Sequence, residues 1–531
     1  MSDLQGNRPQ ARAHERGVLS RRSVLKGGVG TLATAALSAV GGAPHQAWAA
    51  TPEFDIVSMG AVDLSEAIHA KQVSCVQVMN AYLDQIARLN PSVNAVVALQ
   101  DRESLLKQAG ERDAQLARGE SSGPLHGFPQ AVKNLDAVKG IRFTQGSPIF
   151  KDRVAAADSI MVERLRRNGA IFIGKTNTPE FGLGSQTYNN VYGTTKNAYD
   201  QTRTSGGSSG GAAVAVALRM QAVADGSDHA GSLRNPPSFN NVFGLRTSYG
   251  RIPIAGKDVF TPGLGVQGTI GRSPADIGLL LSVQAGYDPR VPYSIKEDPK
   301  QFSQPLQRDF KNVSIAWLGD FNGHLPFEPG VLDLDRSTLK TFSDIGCRVD
   351  EARPDFDMEK VWTDWLALRA WMTASSLKPL YADPAKRALL KPEAIWEIER
   401  GLKLDADQIA AAQEGRTAWY QALRKFMDRY EYVVLPTAQV FPFDANLHWP
   451  TEVGGKAMDT YHRWMEVVIP ITMSGLPSLN VPAGFNDAGL PAGIQIVSRN
   501  EGELACLQLG AAYDEATGWV RQRKPGLLGK A

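Results

Sequence analysis

The order of apolar patterns along this 531-residue chain predicts an α/β fold: one large domain whose mixed central β-sheet is covered by helices on both faces. Three observations carry that prediction. Short runs rich in β-branched residues alternate with amphipathic helical stretches. Strand signals return at 432–436 and 493–497 after a long helical region, so both halves of the chain complete one sheet. A hydrophobic content of 43%, with 51 glycines, 31 prolines and only 8% aromatic residues, supplies a large core and many turns.

Residues 1–49 read as an address. Ser20-Arg21-Arg22-Ser23-Val24-Leu25-Lys26 precedes a Gly/Ala-rich apolar stretch over 27–42 and then Ala47-Trp48-Ala49. That order of charged, apolar and small-residue regions is a signal peptide, and the paired arginines resemble a twin-arginine (Tat) export signal. A basic amphipathic N-terminus is the plainer alternative. The apolar stretch is shorter than the roughly 20 residues of a membrane span. Loss of 1–49 removes six cations and two acids, leaving 51 against 53, net −2. No basic face then favours nucleic acid or an anionic membrane. The expected location is periplasmic or extracellular, with the Tat machinery as a transient partner and no membrane contact after cleavage.

From residue 50 the elements follow in order. Asp63-Leu64-Ser65 caps a helical pattern running to about Leu89 and ended by Asn90-Pro91. A second amphipathic helix covers 103–118. The stretch 170–174, AIFIG, reads as a strand between helices at 159–167 and 274–284. Pro-rich, polar chain over 290–330 gives way to a strand at 313–317, VSIAW. Long helices over 356–430 carry Trp362, Trp365, Trp371 and Trp396, core residues by their spacing. This places a core at about 120–290 and 430–520 and a variable helical region at about 330–430.

Two segments concentrate chemistry. The run Gly206-Gly207-Ser208-Ser209-Gly210-Gly211 stands directly before an apolar stretch at 212–218. A flexible linker, an anion site at a helix N-terminus and a G-x-S-x-G nucleophile elbow are its alternatives. The elbow lacks a strand before it, because 197–204 is too polar. The second segment, GSDHAGSLRNP at 226–236, gathers Asp228, His229 and Arg234 around Ser232, with Ala230 and Gly231 leaving its backbone N–H groups unobstructed. Cys75, Cys347 and Cys506 form neither a CxxC pair nor a disulfide framework and read as buried free thiols. The histidines, at 14, 45, 69, 126, 229, 324, 448 and 462, show no metal-binding spacing.

Ser232, Ser208 twenty-four residues before it, and Lys133 in GFPQAVKN (127–134) resemble the amidase signature family. So do GKTNTPEFG (174–182), GTTKN (193–197), VFGLRTSYGR (242–251) and the stretch from GLP at 475–477 to GLPAGIQ at 489–495. The resemblance implies an amidase-signature domain over 50–531 and a Ser-Ser-Lys triad. Ser232 attacks an amide carbonyl, Ser208 relays its proton and Lys133 is the base. It implies an oxyanion hole from the backbone N–H groups of His229, Ala230, Gly231 and Ser232, and a cis peptide at Gly207-Ser208. Gly207, Ser209, Asp228 and Arg234 are supporting residues, Asp228 and Arg234 as an ion pair. Neither metal nor organic cofactor is implied.

An ordinary lysine, with a pKa of about 10.4, is protonated at neutral pH. Lys133 therefore has to be buried, in the strand-like segment 128–132 and away from carboxylates. His229 as base lacks an orienting acid and reads as a cavity-lining residue. Ala230 for glycine, Ser227 for threonine, Asn134 for an acid and Ala198 for proline depart from the family pattern without removing a triad atom. The expected activity is hydrolysis of a carboxamide C–N bond to an acid plus ammonia or amine, on a small linear or aryl amide, with a pocket built from 362–371 and the region of Trp464. Alternatives are an esterase or acylamide hydrolase on the same scaffold, and a catalytically silent binding protein; a homodimer is compatible with all three. An RNA-dependent amidotransferase component is disfavoured by the export signal and the charge balance.

Overall fold

The computed structural model describes residues 55–256, 258–261 and 263–529. Residues 1–49, read as the export signal, lie outside the described residues. Strands β1 (Val96–Val97), β2 (Pro129–Lys133) and β3 (Ile171–Thr176) make a small sheet in the order β1-β3-β2. The large sheet takes β4 (Val223–Asp228), β5 (Phe243–Arg246), β6 (Val266–Gly271), β7 (Ser314–Trp317), β8 (Arg348–Glu351) and β9 (Tyr432–Pro436). After a hairpin of β10 (Glu452–Val453) and β11 (Lys456–Ala457), β12 (Ser478–Phe485) and β13 (Pro491–Val497) complete it in the order β4-β6-β5-β12-β13-β9-β7-β8. Its pairs are antiparallel from β4 to β9 and parallel through β9-β7-β8, so the expected mixed sheet is built by both halves of the chain.

The helix Gly210–Ala217 lies against strands of both sheets, and every residue in it is buried. Small residues make that possible. A Cβ on Gly211 would lie 2.3 Å from the Asn177 nitrogen and 2.6 Å from the Ala95 oxygen. The Gly-Gly pair thus lets the helix approach the backbone of the small sheet, and the run at 206–211 is packed rather than a linker. Edge strand β2 hands its free N–H groups to side chains near β4. Ala131 donates to Gln221 Oε1 at 3.0 Å and Lys133 to Asp225 Oδ2 at 3.1 Å.

Three expectations are corrected. The single helix of 63–89 is two, Ala61–His69 and Cys75–Val93. Lys71 turns the chain at φ 56, and Ser74 caps the second helix in a reciprocal capping box with Gln77. Asp63 lies inside the first helix. The free N–H groups of Ala61 and Val62 go to the carboxylate of Asp276, more than 200 residues away, at 2.6 and 3.2 Å. The second helix also runs through Pro91 and ends at Asn94, in the left-handed region, while the Asn90 side chain accepts from Ala95 and Val96 at 2.8 Å each. The helices predicted elsewhere stand within a residue or two of expectation, at Arg102–Ala117, Ile160–Arg167 and Pro274–Gln284. The region 356–430 holds Met358–Ala382, Pro392–Gly401 and Ala406–Phe426, with a short turn of helix at Pro384–Arg387. Among the described residues, no helix is long and apolar enough to cross a membrane.

Candidate active site

Lys133 ends β2 fully buried, and its amine is enclosed by hydroxyls. Nζ lies within hydrogen-bond distance of Ser208 Oγ at 2.8 Å, Ser209 Oγ at 2.7 Å, Ser227 Oγ at 3.0 Å and the Ser227 carbonyl at 3.2 Å. Burial lowers its pKa from 10.5 to about 7, against the opposing pull of Asp136, Asp228 and Asp225. The expectation that carboxylates stand clear of Lys133 is therefore corrected: three surround it, and desolvation outweighs them. Two of them are compromised as anions. Burial raises Asp225 and Asp136, and the neighbouring Lys175 amine, itself lowered by burial, donates to the Asp136 carbonyl.

Ser208 follows a cis Gly207–Ser208 peptide, and the Gly207 carbonyl accepts from Ser185 Oγ at 2.8 Å. Ser209 Oγ bridges the amine to the Ser227 carbonyl at 3.2 Å. Ser232 stands on the loop leaving β4, in the turn made by Gly231 at φ +91. A Cβ on Gly231 would lie 2.2 Å from Asn235 Oδ1, so that turn demands glycine. Ser232 is nearly buried and makes no hydrogen bond to Lys133 or Ser208, which leaves its hydroxyl free to turn.

Asp228 fixes this loop. Its carboxylate accepts from Gly231 N at 2.8 Å, Leu233 N at 3.0 Å, Arg234 Nε at 2.9 Å and Nη2 at 3.0 Å, and Arg246 Nη1 at 3.0 Å, all fully buried. Burial alone would raise its pKa, but the two guanidiniums hold it well below the usual carboxylate range. Arg234 continues to the Val468 carbonyl at 2.9 Å, Gln495 Oε1 at 2.7 Å and Thr472 Oγ1 at 2.7 Å, tying the loop to the second half of the chain. Of the four N–H groups expected to serve as oxyanion donors, that of Gly231 is bonded to Asp228. Among the described residues, the N–H groups of His229, Ala230 and Ser232 find no acceptor.

A cavity of about 550 Å³ opens beside these groups, lined on one side by Ser208, Ser227, Asp228 and His229, while Lys133 and Ser232 lie behind that lining. Phe181, Leu183, Met372 and Leu377 supply apolar wall. The pocket expected from 362–371 and the region of Trp464 is met only at Arg369: Trp362 and Trp365 are buried against His462, and Trp464 against Phe239 and Phe443. The lining comes from the next turns of the same helix, Arg369 to Leu377. Burial pushes the His229 pKa down to about 3, so the ring is neutral near pH 7 and too weakly basic to draw a proton from a serine. Away from the cavity, among the described residues, His324, Glu359 and Glu466 bring ligand atoms within 4.8 Å of one another, but Arg463 already pairs with both carboxylates. Cys75, Cys347 and Cys506 are buried and unpaired.

Sequence reasoning missed Ser227, Arg246, Asp225 and Arg369. Ser227 and Arg246 carried signals, the first in its replacement of the usual threonine and the second in its place within the VFGLRTSYGR motif. Comparison with known proteins completes the picture. The family model described as amidase matches residues 77–507. The chain is 31% identical over 475 residues to an acylamidase of Rhodococcus erythropolis, covering 88% of this chain and 97% of that protein. It is 30% identical to a component of the glutamyl-tRNA(Gln) amidotransferase of Thermosynechococcus vestitus, covering 87% and 98%. The crystal structure of a bacterial aryl acylamidase of the amidase signature family superposes with a TM-score of 0.83 at 27% identity, covering 89% of this chain and 99% of that one.

Proposed function

The chain belongs to the amidase signature family, and from that premise we propose that it hydrolyses the C–N bond of a small acyl amide through an acyl-enzyme on Ser232. The observation that carries the reading is the 2.8 Å bond between the buried Lys133 amine and Ser208 Oγ. A neutral amine has two N–H donors and a lone pair. With its donors satisfied by the Ser227 carbonyl and a neighbouring hydroxyl, the lone pair is left to accept the Ser208 proton.

The steps then balance. As Ser232 Oγ bonds to the carbonyl carbon, its proton passes to Ser208 and the Ser208 proton passes to Lys133. The carbonyl oxygen becomes an oxyanion, met by the N–H groups of His229, Ala230 and Ser232 at a turn that Asp228 holds in place. The proton returns through Ser208 to the departing nitrogen, the C–N bond breaks, and ammonia or amine leaves. Water, deprotonated by the same pair, releases the carboxylic acid and restores Ser232. The apolar wall of Phe181, Leu183, Met372 and Leu377 supports an aryl or short alkyl group beside the amide.

The same reading extends to location. The Arg21-Arg22 pair and the Gly/Ala-rich stretch behind it support export by the Tat route, with function in the periplasm or outside the cell. The test of the chemistry is labelling by a fluorophosphonate together with turnover of an acyl anilide. Wild type is labelled at Ser232 and active, and Ser232→Ala loses both. Full anilide turnover by Ser232→Ala overturns the nucleophile.

A further inference from the structure

Arg369 enters the cavity from the helix Met358–Ala382, only 3% exposed. Its far side is fully engaged. Nε donates to Glu397 Oε1 and Nη2 to the Tyr461 hydroxyl at 2.9 Å, and Tyr461 in turn donates to Glu397 at 2.7 Å. The guanidinium carbon also lies 5.4 Å from the centre of the Trp365 ring. Of five guanidinium N–H donors these contacts consume two. Nη1 has no partner among the described residues. His229, whose pKa is lowered first by burial and next by the Arg369 charge, likewise has no partner among them on either ring nitrogen, and its Nε2 is buried.

We propose that Arg369, with His229 beside it, receives a carboxylate of the substrate, so that the preferred amides carry an acid group on the acyl or the amine side of the scissile bond. The inference rests on the amidase reading of this cavity. A rigid guanidinium with unused donors in a buried wall is complementary to a carboxylate, and a neutral imidazole adds one further donor. The charge balance agrees. Glu397 neutralises Arg369, but Asp228 faces two arginines, so one positive charge is in excess beneath the nucleophile loop. The other acids on the wall do not cancel it: Asp136 accepts from Gln267 at 2.5 Å and is raised by burial, and Asp258 is exposed.

The test compares kcat/KM for acetanilide, 4-acetamidobenzoate and N-phenylsuccinamate, which place no carboxylate, one on the leaving group and one on the acyl group. Wild type is expected to favour one of the two acids over acetanilide by about tenfold or more, the effect of one charge-assisted contact. In Arg369→Met/Glu397→Gln, which removes both buried charges together, that ratio falls to near one. Acetanilide equal to or better than both acids in wild type, or an unchanged ratio in the double variant, overturns the inference. Should the double variant fail to fold, inhibition of the wild type decides. Benzoate is expected to inhibit competitively at about tenfold lower concentration than benzyl alcohol, and equal inhibition counts against the carboxylate. A wild type that turns over none of the three amides and is not labelled at Ser232 is a different result, and sinks the amidase reading itself.

Discussion

Replacing Asp228 with asparagine changes one oxygen to an amide and removes one charge. The carboxylate makes five hydrogen bonds, two to backbone N–H groups of the nucleophile loop and three to guanidiniums, with no solvent contact. Breaking a buried ion pair from one side costs about 3 to 5 kcal/mol. A backbone donor left facing the new amide costs about 1 to 3 kcal/mol, part of which is already counted in the first figure. A loss of roughly 5 kcal/mol is expected, against a total stability on the order of 5 to 15 kcal/mol. Urea unfolding followed by fluorescence of the buried tryptophans measures it, with anilide turnover measured on the same sample at low urea. Turnover should fall as well, because Gly231 and Leu233 lose the acceptor that sets the turn around Ser232. The pH dependence has a definite sign. A carboxyl held below its ordinary value of 3.8 stabilises the fold above that pH and loses the contribution as pH falls through the lower folded value. The asparagine variant lacks that acid-dependent part. An asparagine variant within about 1 kcal/mol of wild type, with unchanged turnover, would refute the tether.

Three further outcomes follow from the same geometry. Lys133→Met should lower kcat by about 10²- to 10⁴-fold, the range of a lost general base, while stability is retained. The buried amine, lowered from 10.5 to about 7, carries a penalty of up to about 5 kcal/mol that is largest below pH 7 and gone by 10.5, so the variant's relative stability is greatest at low pH. In wild type, kcat/KM should rise about tenfold per pH unit below pH 7 and level off above it; a rise continuing to pH 10 contradicts a lowered amine. Gly231→Ala forces a Cβ to 2.2 Å from Asn235 Oδ1 at positive φ, and should cost about 1 to 3 kcal/mol of stability and about 100-fold in turnover by moving the adjacent N–H donors.

Much of this was legible along the chain because Lys133, Ser208 and Ser232, the proposed triad, sit in local motifs. The GGSSGG run marks the close approach of a helix, and Ser232 lies in a turn whose glycine is required by φ. Strands β3, β9 and β13 carry the β-branched runs that announced them. What could not be read was decided across the fold. Asp276 caps a helix beginning at Ala61, and Arg246 joins Asp228 only because β5 and β4 both pair with β6. Likewise Asp225 reaches Lys133 only because β2 is an edge whose N–H groups need side-chain acceptors. The tryptophans of the helix Met358–Ala382 drew attention to its buried face, whereas the turns that line the cavity, Arg369 to Leu377, carry no pattern distinguishing them from a solvated surface.

The central claim is that the amine of Lys133 is uncharged in the resting enzyme. Carbon-13 labelled lysine, with the Lys133 resonance assigned by its absence from Lys133→Met, reads that charge directly through the Cε shift. An inflection near pH 7 with a neutral amine at pH 8.5 is the expected result. A resonance that stays in the ammonium position beyond pH 9 would contradict the account.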